Sequence, residues 1–136
     1  MGKESYLVSK THQWYDPDSG HVGLTDYAQE QLGEISFVDV EGIDGATLSQ
    51  VQISGDDPTS DPIDCVVESS KAVGDVYSPL SGAVKEVNSN LMDEPEKINE
   101  DPYGAGWLFT LEPSNLDAEK GNLLSMSDYE SWVASK

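Results

Sequence analysis

From Ser5 to Leu111 the apolar residues come in short β-branched and aromatic runs, each cut off within a few positions by Gly, Pro or Asp. This pattern constrains the fold most, because it accommodates strands and tight turns but no long amphipathic helix. Ser5–Lys10 alternates modestly and Gln13-Trp14-Tyr15 is aromatic. Asp16-Pro17-Asp18-Ser19-Gly20 is a turn sequence, so His21–Leu24 should return as the second arm of a hairpin. Ile35–Val40 reads as a strand with Ile35 and Phe37 on one face and Val38 and Val40 on the other. Val51 and Ile53 suggest a short strand, and Cys65–Glu68 and Val76–Pro79 a pair of strands flanking 69–75. Ser81-Gly82 reads as a turn before the alternating Ala83–Val87, and Asn99–Gly106 as a turn-rich stretch before a strand at Trp107–Leu111. Helical signals are brief. Thr25 offers an N-cap for Asp26–Leu32, which Gly33 stops. After Pro113, Leu116, Leu123 and Leu124 fit short helical turns, and Ser127-Asp128-Tyr129-Glu130 has the S-x-x-E capping form ahead of Trp132 and Val133. The expected architecture is a β-rich, partly closed sandwich or barrel with two or three short helices.

A length of 136 residues suits one domain, 1–136. Its 26 acidic residues face seven lysines and no arginine, a net charge of −19. Such a surface excludes tracking of nucleic-acid phosphate or anionic lipid and favours basic partners. No apolar run approaches the roughly 18 residues that span a bilayer. Cys65 is the single cysteine, has no intrachain partner, and reads as a packed side chain, since nothing nearby would lower its pKa. Met1–Lys10 shows neither an apolar signal core nor an Arg-rich presequence, so the expected setting is a prokaryotic cytoplasm or, for a processed chain, a mitochondrial-type matrix. His12 and His21 lie far apart and in no ligand spacing, so no metal is expected. Ser54–Asp64 (SGDDPTSDPID) reads as an exposed acidic loop that lacks the ordered spacing of a calcium site.

Lys71 is the informative residue. It lies mid-way through Glu68-Ser69-Ser70-Lys71-Ala72, between two expected strands, where a lysine would be exposed on a rigid scaffold as an attachment point needs to be. On spacing alone the simpler reading, a lysine that blunts a strand edge, stands ahead.

Val67–Ala72 (VESSKA), followed by Asp75–Asn88 (DVYSPLSGAVKEVN), closely resembles the lipoylation segment of the H-protein family of the glycine cleavage system. Three further blocks resemble the same family in order: Val22–Gln29 with Leu32–Ile35, Asn99–Leu108 (NEDPYGAGWL), and Leu123–Tyr129 (LLSMSDY). The resemblance implies an all-β core of the barrel-sandwich hybrid, lipoyl-domain-like type, with short N-terminal and C-terminal helices. It implies lipoic acid joined by an amide to Lys71, and a carrier with no complete active site of its own. The implied role is to shuttle the aminomethyl group of glycine from a pyridoxal-phosphate glycine decarboxylase to a tetrahydrofolate-dependent aminomethyltransferase. Dihydrolipoyl then passes to an FAD-containing dihydrolipoyl dehydrogenase. Glu68 and Gly82 match positions recognised by lipoyl-transferring enzymes, with alternative roles as an exposed strand charge and a turn glycine. Gln13 and Asp75 are the arm-cleft candidates. Gln13 departs from the family pattern, which has Glu there; a neutral amide can accept a hydrogen bond from an ammonium but adds no charge. The stretch from Gly42 to Asp64 is longer than usual in the family by roughly ten residues, which places an acidic insertion at about 54–64. A second function keeps the hairpin but makes the chain a lipoyl donor or relay for other complexes.

Overall fold

In the computed structural model, which describes residues 3–135, the short apolar runs become short strands joined by turns. Strands β1 (Leu7–Val8), β2 (Gln13–Tyr15) and β3 (His21–Leu24) lead into helix α1 (Asp26–Leu32) and strand β4 (Ile35–Asp39). There follow β5 (Thr47–Leu48), β6 (Ile53–Ser54), β7 (Asp57–Pro58), β8 (Val66–Ser69), β9 (Val73–Gly74) and β10 (Gly82–Val87). Helices α2 (Asn90–Asp93) and α3 (Lys97–Glu100) precede β11 (Phe109–Pro113), α4 (Leu116–Glu119), β12 (Leu124–Ser125) and α5 (Met126–Ala134).

The strands form a seven-stranded sheet in the order β12-β1-β2-β3-β11-β10-β5, a three-stranded sheet β4-β8-β9, and the separate hairpin β6-β7. All the pairings are antiparallel. One core lies between the two larger sheets: Val22, Leu24, Val84, Phe109 and Leu111 from the first meet Ile35, Val38 and Val67 from the second. This is the sandwich-type all-β core with short helices that the apolar pattern and the family resemblance led us to expect. A smaller cluster joins Val8 and Trp14 to Met126 and Tyr129 of α5, so the C-terminal helix packs against β1 and β2. No helix among the described residues is long and apolar enough to cross a membrane.

Several expectations need correction. The alternation in β4 is broken by a bulge between Ile35 and Phe37, which turns Ile35 and Val38 inward and leaves Phe37 exposed. The strand that pairs with β8 is Val73–Gly74, not Val76–Pro79; the latter residues are buried outside any strand, with Val76 and Ser78 carbonyls accepting from Ile63 and Val51 N–H groups. Gly82 lies in β10 and not in a turn. The acidic 54–64 stretch is not wholly a loop, because Gly55, at φ +66°, lets Ser54 pair with Asp57. Helices α2 and α3 are single turns that no periodicity announces. The cap of α5 is Ser125, whose Oγ accepts from Asp128 N–H at 3.1 Å, and not Ser127.

Candidate functional site

Lys71 stands at the tip of the β8–β9 hairpin, and its backbone is tied down on both sides. Ser69 N–H donates to the Ala72 carbonyl at 2.8 Å, while Ser69 Oγ accepts from the N–H groups of Lys71 at 3.3 Å and Ala72 at 3.1 Å. A serine at this place satisfies the turn's amides itself, so the turn is closed by local hydrogen bonds. The Lys71 side chain is exposed. Its stem lies along the C-terminal end of α1, where Gly33 at φ +86° closes the helix; a Cβ on Gly33 would stand 2.8 Å from Lys71 Cε. The hairpin and α1 also meet through Gly74 and Leu32, since a Cβ on Gly74 would stand 2.9 Å from Leu32 Cδ1.

Beside this hairpin is a cleft of about 290 Å³ between α1, the β1–β2 connection and the 74–76 segment. Leu24, Leu32 and Val76 give it apolar walls, and His12, Gln13 and Asp75 line it too. The two arm-cleft candidates therefore come together at one cavity adjoining the Lys71 hairpin. They are not equivalent. Gln13 is buried, and its Oε1 accepts from Thr11 Oγ1 and lies 3.3 Å from Ser9 Oγ, so its acceptor capacity is engaged within the β1–β2 connection. Asp75 is exposed and is the carboxylate of the cleft lining.

His12 lines the cleft as well, although the sequence reading gave it no role there. It has φ +76°, and its Nδ1 lies 2.7 Å from Tyr129 Oη, which lies 2.7 Å from the α1 cap oxygen, Thr25 Oγ1. Its ring packs on Tyr27 and Trp132 at centroid distances of 4.9 and 5.7 Å. Burial pushes the Tyr129 hydroxyl far above its ordinary value, so it remains a protonated link among cleft wall, α1 and α5. The spacing of Tyr129 and Trp132 on one helical face was the available clue.

Glu68 is half-buried on β8, between Phe37 of β4 and Val73 of β9 in register. Gly82 is buried where β10 crosses β11 and β5; a Cβ there would collide with the Glu112 carbonyl oxygen and stand 2.9 Å from Pro113 Cα. Cys65 is buried, which pushes its thiol up to about 12. His21 stacks on Trp107 at 4.2 Å, on β3 and apart from the cleft lining. Among the described residues no group of three or more His, Cys, Asp or Glu is placed to hold a metal ion. A polar cavity of about 250 Å³ beside Lys10, Gln50 and Asn122 is lined by no residue of the hairpin.

A sequence model of the family described as glycine cleavage H-protein matches residues 6–136. The chain belongs to the glycine cleavage H-protein family. It is 40% identical over 136 residues to a probable glycine cleavage system H protein of Pyrococcus abyssi, covering 98% of this chain and 92% of that protein. It is 42% identical over 124 residues to the glycine cleavage system H protein of Carboxydothermus hydrogenoformans, covering 90% and 86%. The crystal structure of a glycine cleavage system H protein from Mycobacterium marinum matches with a TM-score of 0.77 and 32% identity, over 98% of this chain and 99% of that one. Membership of the family makes this chain a lipoyl carrier of the glycine cleavage system and not one of its catalysts.

Proposed function

We propose that Lys71 is the lipoylated residue and that the hairpin offers the same arm in turn to a glycine decarboxylase, an aminomethyltransferase and a dihydrolipoyl dehydrogenase. The observation that carries this reading is an exposed lysine on a turn whose amides are internally satisfied, next to a cleft with apolar walls and a single carboxylate. These residues suit the group. When attached, the lipoyl disulfide supplies a two-electron acceptor and a sulfur that carries the aminomethyl group of glycine.

The rest is the chain's own contribution. Ser69 fixes the direction in which the Lys71 stem leaves the hairpin, and Gly33, lacking a Cβ, lets that stem run along the end of α1. Leu24, Leu32 and Val76 give the cleft apolar walls for the arm, and the Asp75 carboxylate attracts an ammonium. Gln13 acts on the cleft through its hydroxyl partners Thr11 and Ser9 and carries no charge for the amine. Glu68 serves recognition by a lipoyl-transferring enzyme, and Gly82 acts by letting β10 and β11 close. Amide formation removes the Lys71 charge and takes the formal net charge from −19 to about −20, favouring basic entrances on the partners. The relatives named above are prokaryotic, which supports a cytoplasmic setting, and the acidic 54–64 stretch with its β6–β7 hairpin is a surface elaboration of a single domain.

Intact-mass measurement after incubation with lipoate, ATP and a lipoate ligase should show one lipoyl addition, absent from Lys71→Arg. No addition to the unaltered chain would overturn the reading. The lipoylated chain should then support glycine/CO₂ exchange by the decarboxylase. The engagement of Gln13 within its own loop gives the donor or relay function its support; full lipoylation with no exchange would select that function.

A further inference from the structure

Helix α1 forms one wall of the cleft, yet it has seven residues and none of them is fully buried. A helix so short does not hold its shape or place alone. Ala28 and Leu32 reach the core in part, and the 99–103 segment supplies hydrogen bonds at both ends. The Asn99 side chain accepts from Ile35 N–H at 2.8 Å through Oδ1, and Nδ2 donates to the Gly33 carbonyl at 2.9 Å and to Gln29 Oε1 at 2.7 Å. One amide thus joins the last turn of α1, the glycine that ends it and the first residue of β4. Four residues on, Tyr103 Oη accepts from Asp26 N–H at 2.9 Å, in the first turn of the helix. At about 3.6 residues per turn, Asp26, Gln29 and Gly33 lie on one face of α1, and the cleft-lining Tyr27, Ala28, Gln31 and Leu32 lie on the opposite one. Both ends of the wall are therefore held from behind. The bracing segment is anchored independently of α1. Ile98 is buried in the core, Asn88 Nδ2 donates to the Ala105 and Trp107 carbonyls at 3.0 and 2.8 Å, and the Pro102 carbonyl accepts from Trp14 Nε1 at 3.1 Å. Gly106 lets the segment fold tightly on itself, since a Cβ there would stand 2.8 Å from the Lys97 carbonyl oxygen and 2.9 Å from that of Asp101.

We propose that Asn99 and Tyr103 are positioning residues for the lipoyl arm, setting α1 from behind as the wall that closes on the loaded arm. The inference rests on the lipoyl-Lys71 reading above and on the cleft as the seat of the arm. The stem of Lys71 passes over Gly33, so the Asn99 bond to the Gly33 carbonyl fixes the floor under the stem and the wall of the cleft together. An amide suits this task because it offers both donors and an acceptor; a carboxylate at 99 would lose the donations to Gly33 and Gln29. Neither Asn99 nor Tyr103 lines the cavity, so changing them leaves the cleft-facing side chains as they are. Displacing α1 admits water to the aminomethyl group. Water then takes the carbon off the sulfur: the C–S bond breaks, and its electron pair and a water proton stay on sulfur as a thiol. The carbon leaves as formaldehyde beside ammonium, with no oxidant or reductant needed.

The test loads the lipoylated full chain with the aminomethyl group through glycine decarboxylase, removes the enzyme, and follows loss of the group by intact mass. Asn99→Ala and Tyr103→Phe are compared with the unaltered chain and with Ile98→Val, which trims the core on the same helix and keeps all four hydrogen bonds. Loss should be about ten-fold faster in Asn99→Ala, which gives up three of these bonds, and about three-fold faster in Tyr103→Phe, which gives up one. Ile98→Val should stay within about two-fold of the unaltered chain. Before lipoylation, amide hydrogen exchange should quicken at Ile35 in Asn99→Ala and at Asp26 in Tyr103→Phe, with the β8–β9 hairpin unchanged in both. Loss from both variants within about two-fold of the unaltered rate overturns the proposal. An equal rise in Ile98→Val overturns it too, because the effect is then one of general stability. If Asn99→Ala does not fold, Tyr103→Phe decides on the same terms. An unaltered chain that gains no lipoyl group refutes the Lys71 reading, and one that loses the aminomethyl group as fast in buffer as in urea refutes the cleft as its seat. Either result takes this inference with it, whereas protection that is equal in the unaltered chain and both variants refutes the inference alone.

Discussion

Replacing Gly82 by alanine separates two roles that the same residue could have. At this position an added Cβ meets backbone and not a movable side chain: the Glu112 carbonyl oxygen, the Glu112 carbonyl carbon at 2.9 Å and Pro113 Cα at 2.9 Å. No rotamer change relieves such a contact, so β10 and β11 must move apart. Overpacking of this kind costs about 1–3 kcal/mol, and weakening one ladder hydrogen bond adds about 1 kcal/mol. Unfolding entropy of about 2.1 cal/mol/K per residue makes each kcal/mol worth about 3.5 °C for a chain of 136 residues. Gly82→Ala should therefore lower Tm by about 7–14 °C in a calorimetric or circular-dichroism melt. Gly121→Ala is the control, since a Cβ there meets nothing within 4 Å; its Tm should change by less than about 2 °C. Measured well below both transitions, lipoylation of Gly82→Ala should proceed within about two-fold of the unaltered rate. A Tm drop below about 3 °C would refute the steric argument. Loss of lipoylation in a chain that remains folded would return Gly82 to direct recognition.

Further outcomes are expected elsewhere in the molecule. Tyr129→Phe removes the hydroxyl that links Thr25 to His12 and should cost about 1–3 kcal/mol, seen in a urea titration; a loss under about 0.5 kcal/mol would show the link to be idle. With its thiol pushed up to about 12, Cys65 should ignore an aryl disulfide reagent at pH 8 in the folded chain and react at once in denaturant. Fast labelling of the native protein would contradict its burial. His21 is held below its ordinary 6.5, chiefly by loss of solvation on burial, with Asp16 and Glu86 opposing. The unfolded chain then binds the proton better, so stability declines as pH falls below 6.5. In His21→Gln the decline from pH 7 to 5 should be shallower, and identical slopes for the two chains would disprove the contribution.

What could be read from the sequence was what depends on neighbours in the chain. Pro17 and Gly20 announce the β2–β3 hairpin, and Thr25 and Gly33 bound α1, with Thr25 Oγ1 accepting from Ala28 N–H at 3.2 Å. Lys71 stood out through its surrounding blocks, and the structure adds the internal satisfaction of its turn by Ser69. What could not be read depends on residues distant in sequence. The outward turn of Phe37 requires the register of β4 on β8. The need for glycine at 82 is imposed by Glu112 and Pro113, which neighbour it only once β11 is paired. The N-cap of α5 falls on Ser125 because the β1–β12 pairing holds that residue extended, at φ −67° and ψ 163°, just ahead of the helix. Gln13 stood out because the resemblance puts it where the family has Glu; that its oxygen takes the Ser9 and Thr11 hydroxyls is a local effect of the β1–β2 connection, whose tight turn no residue pattern marked. His12 is a longer-range case, since its role depends on α5.

The pairing of Leu7 with Ser125 and Val8 with Leu124 bears on how the protein is made. During synthesis the segments that build the Lys71 hairpin and its β4 neighbour, residues 35–74, emerge well before residue 124 does. The pocket wall formed by His12 is completed later, when α5 arrives to present Tyr129. On the role proposed for the cleft, a modifying enzyme can meet a finished hairpin on a nascent chain whose cleft still lacks its α5 support, and the proposed shelter for the arm is the last part of the carrier to assemble.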